Sequence, residues 1–347
     1  HGRSNHHLMK ISVIITAYNH ERFIQAALNS ALTQSRPADE IIVIDDASTD
    51  RTAAVIATTL QGYPKEPVSF LRNEINLGVT GSVAKAVAAA VGDMIVFMSG
   101  DDSSAPERIG RCLAHFESHP ATMAIITNAK VIDVESREIG ALENCAGARA
   151  TTALNLSDLI PGEYFLGGRS SCGAAAAYRS EVFRCFLPLQ AGLYAEDDPL
   201  AFRAILLGTC DFLPEQLVRW RRHESNLSHG NGLRRGPEMA EHFRKCEAMI
   251  DQMLADGREW ATHNSGENRS GFNNAVSSLH FYKAKWRLWT VAHEKGVRLG
   301  AFISALKDLV VNRPRITAIA KEAWKPFCKM LIPFTLQRKI AQFRSCR

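Results

Sequence analysis

No stretch of 18 apolar residues occurs in this 347-residue sequence and no secretory signal opens it, so a chain that spans a membrane is not expected. The opening HGRSNHHL reads as a tag remnant ahead of a native start near Met9, and residues 1–8 are set aside from the fold reasoning. The eight cysteines, Cys112, Cys145, Cys172, Cys185, Cys210, Cys246, Cys328 and Cys346, never form a C-x-x-C pair or a regular spacing. That argues against a zinc ribbon and a disulfide scaffold, and predicts reduced, buried thiols in a cytosolic protein. Two nucleotide signatures are also missing. Without a G-x-G-x-x-G after the first apolar run a dinucleotide dehydrogenase is disfavoured, and without a G-x-x-x-x-G-K-[ST] so is a P-loop phosphotransferase.

What is present is an ordinary globular composition, 46% hydrophobic and 22% charged, long enough for one large domain with an appendage or for two domains. The net charge of +5 conceals an asymmetry. Residues 313–347 carry nine Lys or Arg against Glu322 alone, a sum of +8, which leaves −3 for residues 1–312.

The first hundred residues repeat one unit. ISVIIT (11–16), EIIVIDD (40–46), VSFLR (68–72) and MIVFMS (94–99) are short β-branched runs, separated by segments of helical spacing such as ERFIQAALNSAL, with Phe23, Ile24, Ala27, Leu28, Ala31 and Leu32 on one face. Strands apolar on both faces that alternate with helices predict an α/β fold, a mostly parallel sheet flanked by helices, and ligands of such sheets bind outside the carboxyl ends of the strands. TAYN, DDASTD, RNEINLG and SGDD stand at those ends. Asp101 and Asp102 repel one another and have no sequence neighbour of opposite charge. A hard divalent cation, Mg²⁺ or Mn²⁺, held by one or two carboxylates together with substrate phosphates, would supply the missing counter-charge. Ser104-Ala105-Pro106-Glu107 reads as a capping box that starts a helix directly after the acids.

SVIITAYNHERFIQAALNSALTQ, EIIVIDDASTDRT, NLGVTGSVAKAVAAAVGDMIVFMSGDDSSAPERI and AEDDPLAFRAILLG together resemble the successive signatures of family 2 glycosyltransferases of the GT-A fold, over roughly residues 10–228. The resemblance implies a metal-dependent, inverting transfer from a nucleotide-sugar by direct displacement at the anomeric carbon. It places Thr16, Ala17, Tyr18 and Asn19 along the nucleobase and ribose. Asp45 becomes the acceptor of a hydrogen bond from a pyrimidine imide, while Asp46 with Ser48 and Thr49 holds that loop. Asn76 and Gly78 match an N-x-G turn beside the donor. Asp101 matches the acid near the ribose and Asp102 the metal ligand of a D-x-D motif, with Ser99 where many members carry the first acid. Asp197 is implied as the general base, ahead of Asp198 and Glu196, although acids at a helix start also serve as caps. His223 is implied as a further contact to metal or diphosphate, and Arg219, Arg221 or Arg222 as the charge that neutralises the leaving group. His115 and His119, one turn apart, read as structural.

The expected organisation is a GT-A domain over 9–233, with a nucleotide-binding half to about 120 and an acceptor half beyond it, followed by a helical region over 234–347. GPEMAEHFRKCEAMIDQMLADG, SSLHFYKAKWRLWTVAHEKG and VRLGAFISALKDLVV read as helices, with a loop over 263–274. Helices between 271 and 311 offer a surface for an oligomer. The basic, aromatic-studded stretch 313–347 suits the inner face of a membrane with anionic lipid, and suits equally a helix packed on the catalytic domain. No motif for nucleic acid accompanies its charge. The partners expected are a nucleotide-sugar donor, UDP- or dTDP-linked, and a glycan or lipid-linked acceptor for a polysaccharide or lipopolysaccharide. Two rival readings stay open: a nucleotidyltransferase, which should show a glycine-rich loop that TAYNHERF lacks, and a silent sugar-nucleotide or glycan-binding module, which would have no need of the EDD carboxylates.

Overall fold

The computed structural model describes residues 9–143, 153–158, 172–224, 226, 237–264, 269–293 and 299–311. Its nucleotide-side half alternates strand and helix: β1 (Ile11–Ala17), α1 (Ile24–Leu32), β2 (Glu40–Asp45), α2 (Thr52–Gln61), β3 (Val68–Arg72), α3 (Gly78–Ala89) and β4 (Met94–Ser99). β1 pairs in parallel with β2 and β4, and β2 with β3, giving the order β3-β2-β1-β4. β1 is buried along nearly its whole length because alternate side chains feed two cores. Val13 and Ile15 join Ile24, Leu28, Ile56, Ile109 and Phe116 on one face; Ile14 joins Ile42, Ile44, Val83 and Phe97 on the other. Deep burial of this kind leaves function only the strand ends, where Asp45, Ser99 and the loops after them emerge.

Past β4 the chain makes the two-residue strand β5 (Ser103–Ser104) before α4 (Arg108–Ser118). This corrects the expected capping box. Ser104 pairs with Val218, its hydroxyl accepts from Arg108 Nη1 at 3.0 Å, and α4 begins at Arg108 with no side-chain cap. Sheet pairing claimed the serine before the helix could. Next come β6 (Thr122–Ile132), β7 (Glu138–Leu142), the short β8 (Ala153–Leu154), β9 (Ala176–Arg179), α5 (Glu181–Arg184), α6 (Asp197–Leu207) and β10 (Thr209–Arg221). β9 inserts antiparallel between β4 and β6, and β6 runs parallel to β10. The sheet is therefore mostly parallel along its first half and mixed in its second, and β10 returns Arg221 and His223 to the end of β4.

α7 (Pro237–His263), α8 (Arg269–His293) and α9 (Leu299–Val311) follow. The loop expected over 263–274 is shorter than its glycine and asparagine content suggests. α7 continues through Gly257, where a Cβ would come within 3.1 Å of Phe272, so a bare glycine lets α8 approach. Ile250, Met253, Leu254, Ala275 and Leu279 belong to the same buried cluster as Leu200, Phe202 and Ile205 of α6, so these helices share a core with the sheet. Among the described residues no helix is long and apolar enough to cross a membrane. The basic tail 313–347 lies outside the described residues.

Candidate active site

The ends of β1 and β2 are laced by side-chain hydrogen bonds. Asn19, at φ 56°, presents Oδ1 to the backbone N–H of Thr49 at 2.9 Å, and its own N–H donates to Ser48 Oγ at 2.9 Å. A short amide tolerates that left-handed backbone, which turns the loop over the sheet edge. Thr16 and Ala17 give their carbonyls to Gly100 and Asp46, and the Tyr18 ring stands 44% exposed over the end of the strand. Asp45 is fully buried: Oδ1 accepts the Ser48 N–H at 3.3 Å, while Oδ2 faces Arg72 Nε at 3.0 Å and has no hydrogen-bond partner. Asp46 Oδ1 accepts from Asn73 Nδ2 and from the Leu77 N–H, both at 2.8 Å, pinning the turn that opens α3. In that turn the Asn76 side chain accepts the Gly78 N–H at 3.0 Å, and Gly78 has φ 73°, a backbone only glycine takes cheaply. An open cleft of about 520 Å³ lies beside them, lined by Ala47, Arg72, Asn73 and Glu74.

The adjacent acids at the end of β4 are shifted in opposite directions. Asp101 Oδ2 lies 2.9 Å from His223 Nε2 and 3.7 Å from His20 Nε2, accepts from Asn226 Nδ2 at 3.3 Å, and Oδ1 accepts from the Ser99 hydroxyl. Burial would raise this carboxyl, but the His223 hydrogen bond, the His20 charge and the Ser99 hydroxyl hold it at about 2. Asp102 turns inward. Its Oδ1 accepts the backbone N–H of Arg221 at 2.7 Å, and burial together with the Asp101 charge pushes its pKa well up. Of the two residues expected at the metal, His223 meets Asp101, while Asp102 fastens β10 to the β4 loop. Arg221 completes that fastening, with Nε on the Asp101 carbonyl at 2.9 Å, Nη1 on the Asp133 carbonyl at 2.7 Å and its guanidinium 4.8 Å from the Phe23 ring centroid. Arg222 is the exposed cation of the pair, and Arg219 turns away to Glu138 at 3.4 Å.

Glu196, Asp197 and Asp198 form a carboxylate row where α6 begins. Within the row the Asp198 N–H donates to Asp197 Oδ1 at 3.0 Å. Glu196 packs against the backbone of Gly173, where a Cβ would fall 2.1 Å from its Oε1. Burial, then the Asp197 charge, pushes Glu196 up to about 8, and burial pushes Asp198 up to about 7. Glu196 and Asp198 therefore stay protonated below those values. Cys172 sits in the field of both acidic sets: burial, then Asp102, then Asp197, raises its thiol to about 12.

The residues that sequence reasoning missed at this site are His20, Arg72 and Asn226. His20 stands in plain view beside Asn19, but its reach to Asp101 depends on how the β1 and β4 loops meet. Arg72 ends β3 in register with Asp45, a pairing that the parallel order of the sheet would have shown. Of the expected residues, Thr16, Ala17 and Asp45 lie at the carboxyl ends of β1 and β2, Tyr18, Asn19, Asp46 and Asn76 on the loops after β1, β2 and β3, Gly78 at the start of α3, and Asp101 and His223 meet after β4. His115, expected to be structural, lies 2.7 Å from Asp211 and stacks on His119.

Residues 12–187 match the family model described as Glycosyl transferase family 2. A curated relative from Nostoc sp., described as an uncharacterized glycosyltransferase, is 27% identical over 248 residues, 70% of this chain and 73% of its own length. The succinoglycan biosynthesis protein ExoO of Rhizobium meliloti is 29% identical over 129 residues, 37% of this chain and 36% of its own length. Among solved structures, S. aureus TarS in complex with UDP-GlcNAc aligns over 93% of this chain and 88% of its own, with TM-score 0.60 and 18% identity. The mannosyltransferase PcManGT of Pyrobaculum calidifontis, in complex with GDP-Man and Mn²⁺, aligns over 97% and 85%, with TM-score 0.54 and 16% identity. At those identities the two structures speak for the fold alone.

Proposed function

Because the chain belongs to glycosyl transferase family 2, we propose that it moves a sugar from a nucleoside-diphosphate donor to a hydroxyl of a glycan or lipid-linked acceptor, with inversion at the anomeric carbon. The observation that carries this reading is the nearness of two acidic sets, the Asp101–Asp102 pair at the end of β4 and the row that opens α6: the Cys172 thiol feels Asp102 from the first and Asp197 from the second, and Gly173 beside it packs against Glu196. The donor base lies on the loops after β1 and β2, where the exposed Tyr18 ring offers a face and Asp45 Oδ2, ion-paired with Arg72 but without a hydrogen bond, is a buried acceptor. An imide N–H fits such an acceptor, which favours a uridine or thymidine diphosphate.

Asp101 suits a divalent cation as a hard, ionised oxygen donor at the strand end, with the His223 imidazole within reach beside it. Among the described residues no three His, Cys, Asp or Glu close round an ion by themselves, so substrate phosphates would complete the coordination. Asp101 and His223 would hold Mn²⁺ or Mg²⁺, which when bound supplies positive charge against the diphosphate. Asp197 takes the proton from the acceptor hydroxyl as that oxygen attacks, and Glu196 and Asp198, kept neutral, add no repulsion to the incoming electron-rich oxygen. Arg222 offers a further positive charge to the departing diphosphate.

The nucleotide-sugars named with TarS and PcManGT support a donor of this class, the Mn²⁺ of the latter supports the cation, and ExoO supports a place in cell-surface polysaccharide assembly. The test is a screen of UDP-, dTDP- and GDP-sugars for hydrolysis and for thermal shift, with Mn²⁺ and with chelator. A uridine or thymidine nucleotide should raise the melting temperature in Mn²⁺ by mass action. No shift by any nucleotide, or turnover indifferent to exhaustive chelation, would overturn the proposal.

A further inference from the structure

The helix that carries the carboxylate row is gripped from the C-terminal region. Arg203 of α6 and Asp256 of α7 are each 1% exposed and form a bidentate pair, Nε to Oδ2 at 2.7 Å and Nη2 to Oδ1 at 3.1 Å. Arg203 Nη2 also donates to the Leu187 carbonyl at 2.8 Å, and its guanidinium lies 5.0 Å from the Phe186 ring centroid. One turn back on α7, Gln252 donates through Nε2 to Asp256 Oδ1 at 2.9 Å and accepts the Gln190 backbone N–H on Oε1 at 3.3 Å. The same buried group therefore holds both ends of 187–190, the segment that leads into Glu196, Asp197 and Asp198. On its other side the segment meets the start of α3. A Cβ at Gly81 would lie 3.1 Å from Ala191 Cβ, and one at Gly78 would lie 3.9 Å from the backbone of Gly192. That start of α3 is the turn pinned by Asp46.

Two fully desolvated charges hold helices together no better than apolar packing of similar volume would. An apolar contact, however, fixes no direction, whereas a guanidinium fork and an amide with one donor and one acceptor engaged admit one register. We propose that Gln252 and Asp256 are positioning residues for the carboxylate row: through Arg203 and the Gln190 N–H they set the approach of 187–198, and so of Asp197, to the reacting centre. This rests on the reading of Asp197 as the base.

Two substitutions test it. Gln252→Met keeps length and removes both hydrogen bonds. Gln252→Glu, protonated because it is buried against Asp256, keeps a donor towards Asp256 and an acceptor towards Gln190. In Gln252→Met, amide exchange across 187–198 should rise at least about tenfold while that of β1, β2 and β4 holds, because only local opening is affected. The kcat for the donor found in the screen should fall about tenfold, as expected when a catalytic group is displaced, with the Mn²⁺–nucleoside diphosphate dissociation constant within about twofold. Gln252→Glu should restore both exchange and kcat to within about threefold of wild type, because the same two hydrogen bonds are re-formed. Exchange and nucleotide binding need no turnover, so they judge the positioning even if no sugar donor is found. Unchanged exchange across 187–198, an unchanged kcat beside raised exchange, or a Gln252→Glu protein as impaired as Gln252→Met each overturns the proposal. Should Gln252→Met fail to fold, Gln252→Glu decides alone: as pH rises and the introduced carboxyl ionises, exchange across 187–198 must increase relative to wild type at the same pH, and a constant ratio overturns the proposal.

Discussion

Asp101 and Asp102 share one peptide bond and have different work. Asp102 accepts the buried backbone N–H of Arg221 and so holds β10 to the β4 loop. Asp102→Ala should leave that N–H without an acceptor and cost about 1–3 kcal/mol of stability, read from denaturant unfolding, while Mn²⁺ affinity changes less than about threefold. Asp101→Asn should instead strike metal binding: Mn²⁺ affinity in the presence of nucleoside diphosphate, followed by calorimetry, falls by about 100-fold, and the melting temperature falls as well, because the depressed Asp101 carboxylate contributes stability to the fold. A loss of metal binding in the Asp102 variant alone would restore the assignment that the sequence suggested. At the other acidic set, Asp197→Asn is nearly isosteric. A general base is worth roughly 10² to 10⁴ in rate, so kcat should drop at least about 10²-fold while the donor dissociation constant moves less than about threefold. If Asp198→Asn proves the crippling change instead, the base is the next residue along α6.

At the scale of the element, the start of α6 is a site of competing fields. Helix dipole and open solvent would favour charged acids in a first turn, yet burial raises Asp198 to about 7, and burial with the Asp197 charge raises Glu196 to about 8. The sign of the linkage follows. In the unfolded chain these carboxyls lose their protons near pH 4, whereas in the folded protein they keep them to about 7 and about 8. The unfolded state therefore binds fewer protons between those limits, and stability contributed below pH 4 is lost as pH rises through the folded values. Asp198→Asn should flatten part of that decline, so that the urea midpoint of the variant gains on wild type from pH 5 to about pH 7 and levels off above it. A parallel decline in both proteins would mean that Asp198 ionises in the ordinary range.

Elements of this kind also show what a sequence discloses. The strands of the first half announced themselves through continuous β-branched runs, and β1 to β4 fall within a residue of the expected bounds because burial on both faces leaves no other pattern. β9 was not legible: AAYR carries no periodicity, and its antiparallel place between β4 and β6 is decided by tertiary packing. The same holds within the site. Asp45, Asp46 and Asp197 stand in contiguous motifs and can be read locally, whereas the division of labour between Asp101 and Asp102 depends on which carboxylate the returning β10 reaches, 119 residues away. Ser104 was misread as a cap for a related reason, since its partner Val218 is remote in sequence.

For the whole molecule, charge is distributed against the core. Residues 1–312 sum to −3 and residues 313–347 to +8. α7 and α8 contribute Ile250, Met253, Leu254 and Leu279 to the sheet's own core, so a chain cut before α7 should expose that face and aggregate. A cut at residue 312 is a different experiment, because it turns the net charge from +5 to −3 and leaves α7, α8 and α9 in place. If the basic stretch docks on anionic lipid, each Lys or Arg near the surface contributes about 1 kcal/mol, an attraction screened over about 10 Å at 0.1 M salt. Full-length protein should then sediment with phosphatidylserine vesicles at low salt and be released at high salt, and the 1–312 protein should stay in the supernatant while keeping its thermal shift with Mn²⁺ and nucleotide. Equal binding to neutral vesicles would assign the attraction to apolar insertion rather than charge. A 1–312 protein that melts early would show that the stretch packs on the catalytic domain, and its aromatic side chains would then belong to the fold.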